Sequence, residues 1–262
     1  MKVERLEVQV AKVPTPSPES DGTAEWGATT IVIALARAGG ATGLGYSYVD
    51  ASAATVIRDL FAERIVGLDV MATGRAMRDM LHAIRNHGRA GIGACAISAV
   101  DIALWDLKAR VLGVPLAALL GAVHERVPVY ASGGFTSTPP IALAGELAGY
   151  VAGGHRRVKI KIGRDQAQDV ERVRVAREVL GPAVELMVDA NGAYARKQAL
   201  QMADLFGAAG VVYFEEPVSS DDLEGLRLVR DRADIAIAAG EYGYDTFYFR
   251  RMLDAGAVDI LQ

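Results

Sequence analysis

The sequence of 262 residues predicts an α/β fold built from two parts. In the first part, alternating apolar and polar residues predict antiparallel strands, and apolar residues three and four apart predict helices. In the second part, short and nearly continuous apolar runs alternate with helical stretches of about one to two dozen residues. This rhythm is typical of βαβ units, whose strands are buried on both faces of a parallel sheet.

The first part, residues 1–125, reads as an antiparallel meander followed by helices. Two alternating stretches, KVERLEVQVAKV and ATTIVIALARAGG, flank a polar segment from Pro14 to Gly27, and LGYSYV supplies a third strand. We interpret the polar segment as a long loop, and such loops are often lids or binding loops. Helical periodicity follows in three segments, residues 52–66, 74–86 and 92–112. These features predict an α+β domain.

The second part, residues 126–262, contains five apolar runs that predict parallel strands, namely HRRVKIKIG, AVELMVDANG, GVVYFEEP, IAIAAGE and AVDILQ. Between the first two runs, residues 168–180 place their apolar side chains in one stripe, as expected for a helix that lies on a sheet. Polar residues concentrate in or after the first four strands: Lys159 and Lys161, Asp189 and Asn191, Glu215 and Glu216, and Glu241. Parallel barrels carry their active sites at this end, whereas open doubly wound sheets use the crevice at a switch in strand order.

Lys159 and Lys161 are two positions apart on one predicted strand, so their side chains point to the same side, about 7 Å apart. Two ammonium groups this close in a poorly solvated lining repel each other. We expect this repulsion to lower the pKa of a lysine, which could then act as a base. The alternatives are that the lysines pair with nearby acids, or that they lie in water on an exposed edge strand.

Asp189, Glu215 and Glu241 recur every 26 residues, which is one strand and helix repeat each. Equal spacing places one carboxylate at each of three successive strand ends, where the three groups would repel one another without a cation. A set of oxygen ligands suits Mg²⁺ better than Zn²⁺, and no histidine or cysteine stands at a comparable position. The pattern predicts a magnesium site.

A divalent cation beside a base favours one reaction class, the removal of a proton next to a carboxylate through an enediolate intermediate. In this hypothesis, a neutral Lys161 takes the proton. Lys159 lies by the substrate carboxylate as a fixed positive charge, and Asn191 forms a hydrogen bond beside the metal.

Four motifs, KIKIG, VDANGAY, FEEP and AAGEYGY, resemble those of the mandelate racemase and muconate lactonizing enzyme branch of the enolase superfamily. The segment SAVDIALWDLKARVLGVPLAALLG, followed by VPVYASGGFTS, is similar to that family's capping domain and its junction. The resemblance covers essentially the whole chain. It implies a TIM-type (β/α) barrel with an N-terminal α+β capping domain.

The resemblance also implies roles for individual residues. Mg²⁺ would be held by Asp189, Glu215 and Glu241, and Lys161 would be the acid/base on one face of the substrate. Glu216 would lie beside the metal ligands without being one. Selectivity in such proteins comes from the cap, so the loop from Pro14 to Gly27 and the segment GYSYVD are expected to close over the site. Tyr46 is a candidate substrate contact there, with packing within the cap as the alternative.

A complete barrel of this type has eight strands, and only five are predicted before Gln262. We therefore expect the barrel to be carboxy-terminally incomplete in this chain, which would be a piece of a longer protein, with a natural five-stranded variant as the alternative. The family's opposite-face catalytic group would then lie beyond Gln262. The predicted enzyme is an acid-sugar dehydratase or a 2-hydroxy-acid racemase. The alternatives are a cycloisomerase or dipeptide epimerase of the same superfamily, and a non-catalytic chain that binds a metal or a carboxylate.

Composition narrows the choice of partners. The net charge of -4 argues against a nucleic-acid partner, and no run of eighteen uncharged apolar residues predicts a membrane span. The start MKVERLEVQV reads as a strand and not as a signal peptide, and the single cysteine, Cys95, excludes a disulfide framework within the chain. We expect a cytoplasmic protein that acts on a small-molecule carboxylate, with acid sugars among the candidates. The family resemblance adds the expectation of a homo-oligomer.

Overall fold

The computed structural model describes all 262 residues, which form two compact units. The first unit comprises residues 1–15 and 28–127, and the second comprises residues 16–27 and 128–262. The first is an α+β unit with an antiparallel sheet, and the second is an α/β unit with a parallel sheet, which confirms the predicted fold class. The two units divide between residues 127 and 128. The domain boundary between residues 125 and 126 stays a prediction from the sequence.

The antiparallel sheet has three strands in chain order, β1 (Arg5–Ser20), β2 (Glu25–Ala38) and β3 (Ala41–Tyr48). The helices of the first unit are α1 (Ser52–Val56), which continues through a π-helical turn (Ile57–Phe61) into α2 (Ala62–Ile65), then α3 (Thr73–Ala83), α4 (Ile92–Leu112) and α5 (Leu116–Leu119). A buried core between sheet and helices includes Val32, Phe61, Met80 and Leu107. The three predicted helical segments therefore fall on observed helices.

The polar segment from Pro14 to Gly27 is not the long loop that the sequence predicts. Strand β1 continues to Ser20 and β2 begins at Glu25, so only a tight turn joins them. In that turn, Asp21 accepts hydrogen bonds at 2.7 Å from the backbone N–H groups of Thr23 and Ala24. The prolines that suggested a loop lie on β1, which is an edge strand, and edge strands are where a sheet tolerates a residue without an N–H.

The parallel sheet has six strands in chain order: β4 (Ala131–Gly133), β5 (Arg157–Lys161), β6 (Glu185–Asp189), β7 (Val211–Glu215), β8 (Ala236–Ala239) and β9 (Ile260–Leu261). The connecting helices are α6 (Pro140–Ala152), α7 (Gln166–Leu180), α8 (Arg196–Ala208), α9 (Leu223–Arg230) and α10 (Thr246–Ala255). The five predicted strands are present, and β4 is an additional one. Its three small residues form no apolar run, so no strand signal was visible in the sequence. None of the helices is both long and apolar enough to cross a membrane.

The register of the parallel strands brings their carboxyl ends to one level. Lys161 on β5 lies opposite Asp189 on β6, and Asp189 lies opposite Glu215 on β7. On β5, Val158 and Ile160 are fully buried in the apolar core. Because side chains alternate along a strand, Lys159 and Lys161 face the other side of the sheet. The register therefore places charged side chains of neighbouring strands side by side.

Strand β3 approaches helix α4 so closely that a side chain at Gly45 has no room. A Cβ atom there would lie 2.1 Å from the carbonyl oxygen of Ala99 and 2.5 Å from the backbone nitrogen of Ala103. Gly43, two residues before Gly45 on the same strand, is equally restricted. A Cβ atom at Gly43 would lie 2.1 Å from the carbonyl oxygen of Ala103, one helical turn after Ala99. These two glycines set the distance between sheet and helix.

We expect Gly45→Ala to destabilise the protein by about 2 kcal/mol or more, because backbone atoms must move to admit the methyl group. The matched control is Gly74→Ala, since Gly74 lies in helix α3 and a Cβ there meets nothing within 4 Å. The control should be neutral or stabilising by about 0.5 to 1 kcal/mol. Urea unfolding followed by circular dichroism measures both. Equal midpoints for Gly45→Ala and the parent protein would contradict the close contact.

Candidate active site

Three carboxylates converge at the carboxyl ends of the parallel strands. Asp189 ends β6, Glu215 ends β7, and Glu241 follows β8 by two residues. One oxygen from each lies within 4.8 Å of the others. Asp189 and Glu215 are fully buried, whereas Glu241 lies at the exposed rim. The structure therefore brings together the three acids that the sequence spacing singled out.

The two lysines of β5 point into this group of acids. The Lys159 ammonium donates to Glu215 Oε2 at 2.6 Å and lies 3.4 Å from Asp189 Oδ2. The Lys161 ammonium donates to Asp189 Oδ2 at 2.5 Å and to Asn191 Oδ1 at 3.0 Å. The lysines thus pair with acids, which is one of the alternatives considered from the sequence.

Ion pairing with the acids shifts the pKa of Lys159 in the direction opposite to the one expected from the sequence. Burial by itself would lower the pKa of Lys159, but the negative charges of Asp189 and Glu215 outweigh burial and raise it above its usual value. The prediction of a lowered pKa is therefore wrong for Lys159 among these carboxylates. The prediction treated the lysines as each other's nearest charges, whereas Lys161 is closest to Asp189 on the adjacent strand β6 and Lys159 is closest to Glu215 on β7.

Asn191 connects three members of the group. Its backbone N–H donates to Asp189 Oδ1 at 2.9 Å, and its side-chain amide donates to Glu241 Oε1 at 3.1 Å. The residue has a positive φ of 47°, a conformation that asparagine adopts more readily than most residues. This backbone turn after β6 returns the amide toward the strand ends, so that Asn191 links two of the clustered acids with Lys161.

Glu216 is buried beside the cluster without joining it. It has a positive φ of 40° and is fully buried, and neither carboxylate oxygen receives a hydrogen bond from the protein. Burial, followed by the charges of Glu241, Asp189 and Glu215, raises the pKa of Glu216 to about 8. Strained backbone and unpaired buried polar groups are concentrated at functional sites in proteins.

Tyr213 and Gln262 contact Glu215 and were missed in the sequence. The Gln262 amide nitrogen donates to Glu215 Oε1 at 2.7 Å, and the Tyr213 hydroxyl lies 3.2 Å from Glu215 Oε2. Burial and the Glu215 charge raise the pKa of Tyr213, so its hydroxyl is protonated at neutral pH. A signal for Tyr213 was present in the sequence, because a residue two positions before Glu215 shares its face of the strand.

Two side chains of helix α7 hold the backbone around Lys161. The buried Arg172 guanidinium donates to four carbonyl oxygens, those of Gly134, Phe135, Thr138 and Lys161. Asp169 accepts hydrogen bonds from the Gly163 N–H at 3.0 Å and from the Tyr194 hydroxyl at 2.7 Å. The strand end that carries Lys161 is therefore fixed on both sides by polar groups outside the acid cluster.

The turn between β1 and β2 packs on the same strand ends. A Cβ atom at Gly22 would lie 2.2 Å from the carbonyl oxygen of Ala190 and 2.9 Å from that of Ile162. The Thr136 hydroxyl donates to the Asp21 carbonyl at 2.9 Å, and Arg164 donates to the Ala24 carbonyl at 3.0 Å. The ribbon tip, which we define as residues 16–27, thus lies beside the backbone that carries Lys161, Asp189 and Asn191.

Tyr46, the predicted substrate contact, lies on β3 in the first unit. Its side chain is 47 % exposed, and its ring packs edge to face against Tyr48 with centroids 5.9 Å apart. A role in substrate binding stays a prediction.

The donor set of the cluster fits a hard divalent cation. Asp189, Glu215 and Glu241 offer oxygen atoms only, and Mg²⁺ prefers oxygen ligands and retains water or substrate in its remaining positions. The exposed position of Glu241 leaves one side of the cluster accessible to such ligands. Two ammonium groups and a candidate cation site therefore lie within one small region.

Comparison with known proteins agrees with this arrangement. The model of the mandelate racemase/muconate lactonizing enzyme N-terminal domain matches residues 5–121, and that of the enolase C-terminal domain-like family matches residues 142–262. The 3,6-anhydro-alpha-L-galactonate cycloisomerase of Streptomyces coelicolor is 35% identical over 98% of this chain and 73% of its own length. Other relatives are named L-talarate/galactarate dehydratase, D-galactarolactone cycloisomerase and L-Ala-D/L-Glu epimerase.

Solved structures show the same fold. A mandelate racemase/muconate lactonizing enzyme-like protein from Rubrobacter xylanophilus superposes with a TM-score of 0.97 at 54% identity, covering 100% of this chain and 73% of that one. The L-talarate/galactarate dehydratase of Salmonella typhimurium, solved with Mg and L-lyxarohydroxamate, gives a TM-score of 0.90 at 29% identity, covering 100% and 70%.

The chain spans 73%, 53% and 63% of the lengths of three curated relatives, so it corresponds to part of each of them. Both family models are matched in order along the chain, and the fold agrees with that of solved members. The protein belongs to the mandelate racemase/muconate lactonizing enzyme family of the enolase superfamily.

Proposed function

We propose that this protein binds Mg²⁺ and removes the proton next to the carboxylate of a small organic acid. The observation that carries the proposal is the convergence of three carboxylates with the Lys161 ammonium 2.5 Å from one of them. A metal-binding group and a proton-transfer group must both lie within reach of one substrate carbon for this reaction.

In this proposal, Asp189, Glu215 and Glu241 hold the cation. Bound Mg²⁺ would offset the negative charge that develops on the substrate carboxylate as the enediolate forms. The charges of the site support this assignment. When ionised, Asp189, Glu215 and Glu241 carry one more negative charge than the two lysines neutralise, so the cluster favours a cation.

The two lysines differ in depth, which supports different roles for them. Lys161 lies at the end of β5 with 15% of its side chain exposed, so a substrate can reach its amine. Lys159 is 7% exposed, and its ammonium is paired with Glu215. We assign Lys161 as the base that takes the proton in its neutral form and Lys159 as a permanent positive charge. Asn191 would hold Glu241 and Lys161 in their relative positions.

The named relatives support acid sugars as the substrate class. They include L-talarate/galactarate dehydratase and arabinonate dehydratase, which favour an acid-sugar dehydratase. A similar solved structure is named a racemase and was solved with bound magnesium, which keeps a 2-hydroxy-acid racemase in the same proposal. A cycloisomerase or dipeptide epimerase is the second candidate, since other relatives carry those names. All of these would share the first proton transfer, and the group on the opposite face of the substrate would decide the product. We further propose a cytoplasmic homo-oligomer with no nucleic-acid or membrane partner.

We expect the protein to bind Mg²⁺. The substitution Asp189→Asn should weaken that binding by more than about 100-fold, because it removes a ligand and not merely a group that supports one. Isothermal titration calorimetry measures the affinity. The matched control is Asp204→Asn, since Asp204 is an exposed acid on helix α8. Equal Mg²⁺ affinities of the parent protein and Asp189→Asn would contradict the assigned metal site.

We expect the parent protein with Mg²⁺ to exchange the α-hydrogen of at least one acid sugar with deuterated water, and Lys161→Ala to exchange it about 10³-fold more slowly. Proton NMR of a panel of sugar acids measures the exchange. Lys197→Ala, which removes an exposed lysine of helix α8, should exchange at the parental rate. If Mg²⁺ binds and no acid of the panel exchanges, the chain is a metal or carboxylate binder without this catalysis.

A further inference from the structure

Three side chains contact one another beside the acid cluster, those of Tyr213, Gln262 and Glu215. The Tyr213 hydroxyl lies 2.7 Å from Gln262 Oε1 and 3.2 Å from Glu215 Oε2. The Gln262 amide nitrogen lies 2.7 Å from Glu215 Oε1. Tyr213 is only 6% exposed, so water does not compete freely for its hydroxyl.

The hydroxyl of Tyr213 has one proton and two acceptors in reach. The shorter of the two distances is to Gln262, so the proton lies on that line. A carboxamide oxygen that accepts from Tyr213 leaves the NH₂ end of the same amide facing Glu215. In the opposite orientation, the amide oxygen of Gln262 would face a carboxylate oxygen, which is repulsive. Tyr213 and the Glu215 carboxylate therefore favour the same orientation of the Gln262 amide, and the tyrosine holds the end that the carboxylate does not contact.

The backbone brings Gln262 to this position. The Gln262 N–H donates to the Ala239 carbonyl at the end of β8. A Cβ atom at residue 240 would lie 2.1 Å from the Gln262 carbonyl oxygen, and only glycine fits there. Tyr213 and Glu215 are on the same face of β7, two residues apart. Three neighbouring strands thus contribute to one hydrogen-bonded unit.

We propose that Tyr213 is a positioning residue that acts through Gln262 to hold the Glu215 carboxylate for the metal ion. The role of Glu215 as a metal ligand rests on the proposed function. Tyr213 itself does not bind the metal, and its hydroxyl fixes the Gln262 amide, which in turn fixes Glu215 Oε1. Lys159 holds the other oxygen, Oε2, so the carboxylate is anchored at both ends.

The test is the Mn²⁺ and Mg²⁺ affinity of Tyr213→Phe, Gln262→Leu and the double variant. Electron paramagnetic resonance measures free Mn²⁺, and calorimetry measures Mg²⁺. We expect each single variant to lose about 10-fold in affinity, the lower end of the range for groups that support metal ligands. Both residues act through one chain of hydrogen bonds, from Tyr213 through Gln262 to Glu215, which we call the relay. The double variant should therefore lose little more affinity than either single variant.

A matched control separates this effect from the loss of any buried hydroxyl. Tyr150 is partly buried, and its hydroxyl donates to Glu146 on helix α6, away from the acid cluster, so Tyr150→Phe should keep parental metal affinity. Circular dichroism with a chelator present checks the fold of every variant. If Tyr213→Phe is poorly folded, Gln262→Leu decides, since Gln262 is exposed and its loss removes no core packing.

The outcomes distinguish the relay from the proposed function. Parental metal affinity in Tyr213→Phe or in Gln262→Leu, or fully additive losses in the double variant, would overturn the relay while leaving the metal site intact. A parent protein that binds neither Mn²⁺ nor Mg²⁺ would overturn the proposed function and the relay with it.

Discussion

The site depends on the electrostatic cost of bringing carboxylates together at the level ends of parallel strands. The register that pairs Lys161 with Asp189 and Asp189 with Glu215 leaves these groups no freedom to separate along the sheet. Buried carboxylates must be compensated by positive charge or hydrogen bonds, or they take up protons. The surrounding donors are therefore a requirement of the fold as much as of the chemistry.

Each carboxylate meets this requirement differently. Asp189 receives hydrogen bonds from Lys161 and from the backbone N–H of Asn191, and Glu215 receives them from Lys159 and from the Gln262 amide. Glu216 receives none, and its raised pKa reflects that lack of compensation. The strained backbone at Glu216 is held by main-chain hydrogen bonds with Ala238 and Gly192, and that at Asn191 is held by the bond from its N–H to the Asp189 carboxylate. The hydrogen bonds of the parallel sheet thus stabilise a cluster of buried charges and strained residues that would be unfavourable by itself.

Much of this could be predicted from the sequence, because it follows from periodicity. The interval of 26 residues placed Asp189, Glu215 and Glu241 in equal phase, and the spacing of two placed both lysines on one face. Periodicity could not reveal pairing between strands, so the ion pairs of Lys159 and its raised pKa were not foreseen. Strand β4 is too short to show alternation. Gln262 reaches Glu215 only through tertiary structure, and no local pattern marks such a contact.

The ribbon formed by β1 and β2 belongs to both compact units. Its tip, residues 16–27, groups with the parallel-sheet unit, whereas the rest of both strands groups with the antiparallel one. A chimera joined at the linker near residue 127 would inherit this tip from one parent and the strand ends beneath it from the other. Gly22 leaves almost no clearance there, so compatibility at this turn limits which halves of related proteins can be recombined.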